Sequence, residues 1–166
     1  MKNSEILLVK ELEKSIEQKI SLLKCLNTAY SCSLDLLDNK SYDAFLEKLD
    51  VQQKLLNEID NIDSQITVTA DKYESYKNEI LAFINGYKGD SNLPVMLQKF
   101  IEDITTSRKL LKSCKVLNEK LTYRINEVQN EIKQNMLTFK NRRLIKTGYS
   151  NVNTVKTGLV IDYKNN

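Results

Sequence analysis

Cysteine is the most reactive residue type in this sequence, and it occurs three times among the 166 residues. Cys25, Cys32 and Cys114 form no CxxC pair, and the sequence contains no histidine. A zinc site would therefore lack the ligands that usually build it. We predict free and mostly buried thiols that pack as small apolar side chains.

The absence of histidine also limits the catalysis that this chain could perform. Histidine is the commonest general base and the usual partner of a nucleophilic serine or cysteine. The sequence shows no glycine-rich phosphate loop, no metal-ligand spacing and no aromatic base-stacking motif. Paired carboxylates along a helix leave acid–base chemistry open, but no pair is singled out. We therefore expect no enzymatic activity, no cofactor and no metal.

Charge is distributed unevenly, although the net charge is only +3. Residues 1–66 carry 8 basic and 12 acidic side chains, whereas residues 91–166 carry 14 and 6. Two interpretations compete: antiparallel packing of oppositely charged segments within the fold, or a basic face for nucleic acid or anionic lipid. We favour the first because Glu119, Glu127 and Glu131 interrupt the basic residues.

The nucleic-acid alternative predicts strongly salt-dependent binding. It would use a row of five cations: Lys109, Lys112, Lys115, Lys120 and Arg124. We expect no nucleic acid among the partners.

The longest pattern in the chain is a heptad repeat from Pro94 to about Ile145. One series holds Leu97, Ile104, Leu111, Asn118, Ile125, Ile132 and Phe139, and the other holds Phe100, Ser107, Cys114, Leu121, Val128 and Asn135. Such a repeat predicts one helix with a single seam, about 75 Å long, and hence an elongated molecule. The polar members Ser107, Asn118 and Asn135 are typical of a seam that fixes register or leaves room for a partner.

The remaining elements are predicted to be helices that pack around this one. Apolar residues at three- and four-residue steps indicate helices at about 4–38, 42–66 and 70–87, before the long helix at 94–145. Turn-forming residues at Asp38–Ser41 predict an antiparallel hairpin of the first two helices. The β-branched stretch Thr67–Thr69 predicts a kink or short break, and Gly86–Asn92 reads as a linker.

The predicted fold is thus all-α, because glycine and proline are too scarce for the turns of a β-rich fold. We expect an elongated antiparallel helical bundle or hairpin built on one long C-terminal helix. Residues 1–146 would form a single elongated helical domain and residues 147–166 a flexible tail. No apolar run is long enough to span a bilayer, so we expect a cytoplasmic protein without membrane insertion.

The predicted tail begins at a possible helix-ending glycine. Gly148 could take the left-handed cap conformation and turn Tyr149 into solvent. The residues beyond it are polar but include Val152, Leu159 and Ile161. A docking peptide and an inert frayed end are both open interpretations.

Several motifs, in their order along the chain, resemble the FlgN-like family of flagellar export chaperones. The first helix is similar from Leu8-x-x-x-Leu12 through Leu22-Leu23 to Leu36-Leu37-Asp38, and the second in Tyr42-Asp-Ala-Phe-Leu46-x-x-Leu49 and Gln53-Lys-Leu-Leu56. Leu117-Asn118-x-x-Leu121, Gly148-Tyr149 and Gly158-Leu-Val-Ile161-Asp162-x-Lys164 complete the likeness. The family has a Tyr-Gly motif after its long helix, whereas Ser150 follows Tyr149 here.

The resemblance implies a chaperone that binds amphipathic terminal helices of the hook-associated junction proteins. Members of this family keep those helices from assembling in the cytosol and deliver them to the cytoplasmic domain of the export gate. Recognition would be helix-in-groove packing on the incompletely filled seam. The residues expected to bind the client are Asn118, Leu121, Ile125, Val128 and Ile132. Tyr149 is expected to dock to the export gate.

The main alternative is a structural coiled-coil protein without a client. It would form a stable homodimer whose seam is filled by its own copy. The chaperone interpretation instead expects a monomer or weak homodimer that forms a complex with its client.

Overall fold

The computed structural model describes residues 3–73, 76–86 and 95–153, and within these ranges it contains only helices and turns. The elements are α1 (Asn3–Asp38), α2 (Tyr42–Asp71), α3 (Lys77–Asn85), a 3₁₀ turn (Val95–Leu97) and α4 (Gln98–Asn153). The predicted all-α fold with a long C-terminal helix is confirmed.

The first two helices form an antiparallel hairpin, as predicted. The backbone N–H of Ser41 donates to the Leu36 carbonyl at 2.9 Å, and Lys40 takes a positive φ of 58° to close the turn. Lys19 of α1 pairs with Asp63 of α2, near the open end of the hairpin. Nearer the turn, the buried Gln52 side chain donates to Ser33 Oγ at 2.7 Å and to the Ala29 carbonyl at 3.3 Å. These polar contacts fix the register of the two helices because each would be costly to leave unpaired.

A core cluster forms where residues of α1, α2, α3 and the beginning of α4 meet. Each member exposes less than a tenth of its surface. The members are Val9, Leu12, Ile16, Ile62, Ile66, Ala70, Tyr73, Ile80, Leu97, Phe100 and Ile104. The start of α4 is thereby held against the open end of the hairpin.

Two predicted boundaries in the middle of the chain were wrong. Helix α2 passes through the Thr67–Thr69 stretch and ends at Asp71 rather than at residue 66. The Thr67 hydroxyl donates to the Asp63 carbonyl at 2.9 Å, and Thr69 and Ala70 are buried. Tertiary packing therefore outweighs the weak helix propensity of the β-branched residues.

Helix α3 is correspondingly shorter than the predicted 70–87. It spans Lys77–Asn85 and is closed by Gly86, whose φ of 95° is left-handed. The Gly86 N–H donates to the Phe83 carbonyl at 3.2 Å, as expected at a helix end that uses glycine. The rest of the predicted linker, residues 87–92, lies outside the described residues.

The predicted limits of the long helix were also wrong. Helix α4 begins at Gln98, after the 3₁₀ turn, and continues beyond Ile145 to Asn153. Gly148 and Tyr149 therefore have helical backbone, and Gly148 does not end the helix. One glycine costs about 1 kcal/mol relative to alanine inside a helix, which a long helix tolerates. Pro94 and residues 154–166 of the predicted tail lie outside the described residues.

The described chain divides into two compact units, Met1–Arg124 and Ile125–Asn166. The first unit contains α1, α2, α3 and the beginning of α4. The second contains the remainder of α4. Each is treated separately below.

Candidate functional site

In the first unit, α4 packs on α1 through one series of the predicted seam. Phe100, Ser107, Cys114 and Leu121 recur every seven residues and are each at most 5% exposed. The other series does not stay buried: Ile104 is 5% exposed, but Leu111 is 40% exposed. The series that stays buried keeps a strict seven-residue repeat, as at the seam between two packed helices.

Polar contacts tie the same two helices together, and they show that α1 and α4 run parallel. Lys99 donates to Glu17 at 2.6 Å and Arg124 donates to Asp38 at 2.8 Å. The expected pairing of acidic and basic segments is present between these two parallel helices, and α1 and α2 form the antiparallel pair. The hairpin reverses the chain once and the α3 region reverses it again, so α4 follows the direction of α1.

The three cysteines are free, as predicted, but only Cys114 is buried. Its Sγ lies 3.6 Å from the Leu23 carbonyl oxygen, and burial raises the pKa of its thiol, which favours the unreactive neutral form. The prediction of mostly buried thiols was wrong because Cys25 and Cys32 lie on an exposed face of α1. Both line a shallow groove beside α2, with Ala29 and Val51.

In the second unit, every described side chain of α4 from Gln129 to Ile145 is exposed. Ile132, Met136 and Phe139 are 44%, 67% and 72% exposed. Steps of four and three residues place these three on one side of a helix. We call them the exposed stripe. Single exposed apolar residues are ordinary, but an aligned set is typical of an interaction surface.

Two apolar residues of the second unit precede the exposed stripe. Ile125 and Val128 lie at three- and four-residue steps before Ile132 and share its side of the helix. Ile125 is half-buried and Val128 is 6% exposed. The apolar spacing of this unit is thus covered at its beginning and uncovered from Ile132 onward.

The five residues predicted to bind a client differ in exposure. Asn118 and Ile132 are exposed, Ile125 is half-buried, and Leu121 and Val128 are buried. Only two of the five therefore present most of their side chains to solvent. Tyr149 lies in the backbone of α4, and its side chain is outside the described residues.

Sequence reasoning missed Met136 as a surface residue. The heptad repeat assigns the polar Asn135 to the seam, whereas the apolar face moves one residue further, to Met136. An α-helix has 3.6 rather than 3.5 residues per turn, so an apolar face drifts relative to a strict heptad. A search for steps of three and four from Val128 would have found Ile132, Met136 and Phe139.

The surroundings of the exposed stripe are basic. Between residues 129 and 145 there are four basic side chains, at Lys133, Lys140, Arg142 and Arg143, and one acidic side chain, at Glu131. Within the part of the chain that the structure describes, neither Lys133 nor Lys140 has an ion-pair partner. These two cations are available to a binding partner.

The described residues include no group of three or more cysteine, aspartate or glutamate side chains placed to hold a metal ion. Nor does any helix within the described ranges have the length and apolar character needed to cross a bilayer. Comparison with models of known families, with characterised proteins and with solved structures finds no match to this chain.

Proposed function

We propose that this protein is a cytoplasmic export chaperone of the flagellar type III system, without enzymatic activity, that binds terminal helices of hook-associated junction proteins. The single observation that supports the proposal most is the exposed stripe on α4. Its residues continue the apolar spacing of Ile125 and Val128, and a partner helix could cover them. The motifs that resemble the FlgN-like family indicate which partner that would be.

Binding would follow from the burial of the exposed stripe. A client helix that covers Ile132, Met136 and Phe139 would remove three large apolar side chains from water. Each contributes about 1.5–3 kcal/mol, before the cost of association is subtracted. The three side chains alone roughly offset the cost of association, so the net affinity would depend on further contacts along the client helix. A covered client helix could not pair with its assembly partners in the filament.

Delivery to the export gate would use the region around Tyr149. The helical backbone reaches Asn153, so Tyr149 would be presented from the end of α4 rather than from a stalk that begins at Gly148. An aromatic ring with a hydroxyl group suits transient contact with a larger partner. This proposed role is separate from client binding because Tyr149 is ten residues beyond Phe139.

A structural homodimer is the alternative that the exposed stripe also supports. A second copy could cover Ile132, Met136 and Phe139 as a client would. The two proposals differ in stoichiometry: a chaperone is a monomer or weak dimer that forms a heterocomplex, whereas a structural coiled coil is a stable dimer with no further partner.

The test is affinity capture of the full chain from the cytosol of the native host, followed by mass spectrometry and by reconstitution with purified components. The proposal expects hook-associated junction proteins among the captured proteins and a purified complex with one of their terminal helices. Sedimentation of the isolated chain provides the second measurement. A stable dimer that binds no terminal helix would support the alternative and refute the chaperone.

A further inference from the structure

Two lysines border the exposed stripe on one side of α4. Lys133 and Lys140 are seven residues apart, both are exposed, and both lie roughly 80–100° around the helix from Ile132. On the other border lie Glu131, Asn135 and Arg142, which are also exposed. The exposed stripe is therefore flanked by a basic side and by a side that carries one acidic, one neutral and one basic residue.

We propose that the exposed stripe accepts an acidic amphipathic helix, whose carboxylates pair with Lys133 and Lys140. This inference rests on the proposed function and names the chemistry of its client. The two lysines are about 10 Å apart along the helix axis. Two carboxylates spaced seven residues apart beside the apolar side of a client helix would match this distance. Flanking charges of this kind select partners and orientation in helix pairs.

A second copy of this chain fits the surface less well than an acidic helix. Two copies of the segment 129–145 would each bring four basic side chains and one acidic side chain to the contact. Like charges facing one another across a helix pair are unfavourable. The surface therefore favours a partner of the opposite charge.

An anionic membrane surface is also a weaker fit than a helix. The four basic side chains of residues 129–145 would suit an anionic surface, but helices that lie on membranes also bury a broad apolar face. Here the apolar side consists of three residues in about two turns, and polar or charged residues border it on both sides. A narrow face of this kind matches the seam of a second helix.

The inference can be tested with two synthetic three-heptad peptides that share one apolar seam. The first carries glutamate at the flanking positions and the second carries lysine there. Fluorescence anisotropy would measure the affinity of the full chain for each peptide, at low and at high salt. We expect the acidic peptide to bind about three- to tenfold more tightly at low salt, as two exposed ion pairs allow, and this preference to shrink at high salt.

Charge-reversed variants assign the preference to the two lysines. Lys133→Glu combined with Lys140→Glu should reverse the preference, so that the basic peptide binds more tightly. Lys112→Glu combined with Lys120→Glu is the matched control, because it makes the same change in net charge at exposed positions of α4 in the first unit. That control should keep most of the preference for the acidic peptide.

Three results would overturn the inference: equal affinity for both peptides, no binding of either peptide, or the same effect of both double variants. Binding to vesicles that contain an anionic lipid, without binding to the acidic peptide, would refute the inference and indicate that the exposed stripe contacts a membrane. The proposed function fails separately. If a purified junction-protein helix binds equally well to the chain with and without the two lysine substitutions, the proposed chaperone function stands and only the charge preference is refuted.

Discussion

The part of α4 in the first unit and the part in the second both carry apolar residues at helical spacing, but these residues differ in how exposed they are. Phe100, Cys114 and Leu121 are buried, whereas Ile132, Met136 and Phe139 are exposed. The spacing of apolar residues therefore predicts that a helix has an apolar side. It does not predict whether that side is filled by the same chain or is left for another molecule.

The difference also separates stability from binding. Side chains that the chain itself covers contribute to folding, and their removal should unfold the protein. Side chains that remain exposed contribute little to folding and are available to bind a partner. Four measurements test this difference between the two parts of α4.

The largest expected effect comes from truncating the two phenylalanines of α4. Phe100 is 1% exposed and Phe139 is 72% exposed. We expect Phe100→Ala to reduce the free energy of unfolding by about 3–5 kcal/mol, because it leaves a cavity in the core. Phe139→Ala should change it by less than about 0.5 kcal/mol. Urea denaturation followed by circular dichroism measures both, and similar losses for the two variants would contradict the comparison.

The cysteines provide a second test, of how firmly the first part of α4 stays covered. Cys114 is buried with a raised pKa, whereas Cys25 and Cys32 are exposed. We expect two thiols to react quickly with a disulfide reagent and the third to react at least about a hundredfold more slowly, through opening of the fold. Mass spectrometry of the labelled peptides identifies each site. Rapid labelling of Cys114 would mean that α4 separates readily from α1.

Charge placed on the exposed stripe should affect binding without affecting folding. We expect Ile132→Asp to weaken the binding of a client helix by about tenfold or more, because a carboxylate would be buried unpaired in the contact. Helicity should stay nearly unchanged, since one exposed aspartate is tolerated in a long helix. Leu137→Asp is the matched control, because Leu137 is 53% exposed on another side of the same helix. Equal losses of affinity in the two variants would mean that the exposed stripe is not the client-binding site.

The smallest effect is expected at the ion pair between α1 and α4. Asp38 accepts from Arg124 at 2.8 Å, but the Asp38 side chain is 64% exposed. Solvent and salt screen such a pair, so Asp38→Asn should cost about 0.2–1 kcal/mol of stability, and less at high salt. Denaturation at two salt concentrations would show this. A loss as large as that from Phe100→Ala would mean that this pair, rather than the buried seam, holds α4.

Much of the fold follows from local sequence. The turn residues from Asp38 to Ser41 correctly predicted the hairpin, and the heptad repeat correctly predicted a long last helix. The break expected at Thr67–Thr69 is absent because burial of Thr69 and Ala70 outweighs helix propensity. A local pattern contains no information about such tertiary burial.

The candidate site was predicted less completely than the fold. Ile132 was identified from the heptad, but the burial of Leu121 and Val128 depends on which helix faces reach α4. Met136 was missed because a strict heptad ignores the drift of a 3.6-residue helix. The sequence thus predicted a long helix with an apolar side, while the uncovered portion became visible only in the folded chain.

Hydrogen–deuterium exchange of the full chain, with and without a bound terminal helix of a junction protein, tests the central claim most directly. We expect the client to slow exchange in peptides that cover residues 129–145 and to leave those that cover residues 98–124 nearly unchanged, because the latter are already packed on α1. Slower exchange confined to residues 98–124 or to the α1–α2 hairpin, with none at residues 129–145, would contradict it.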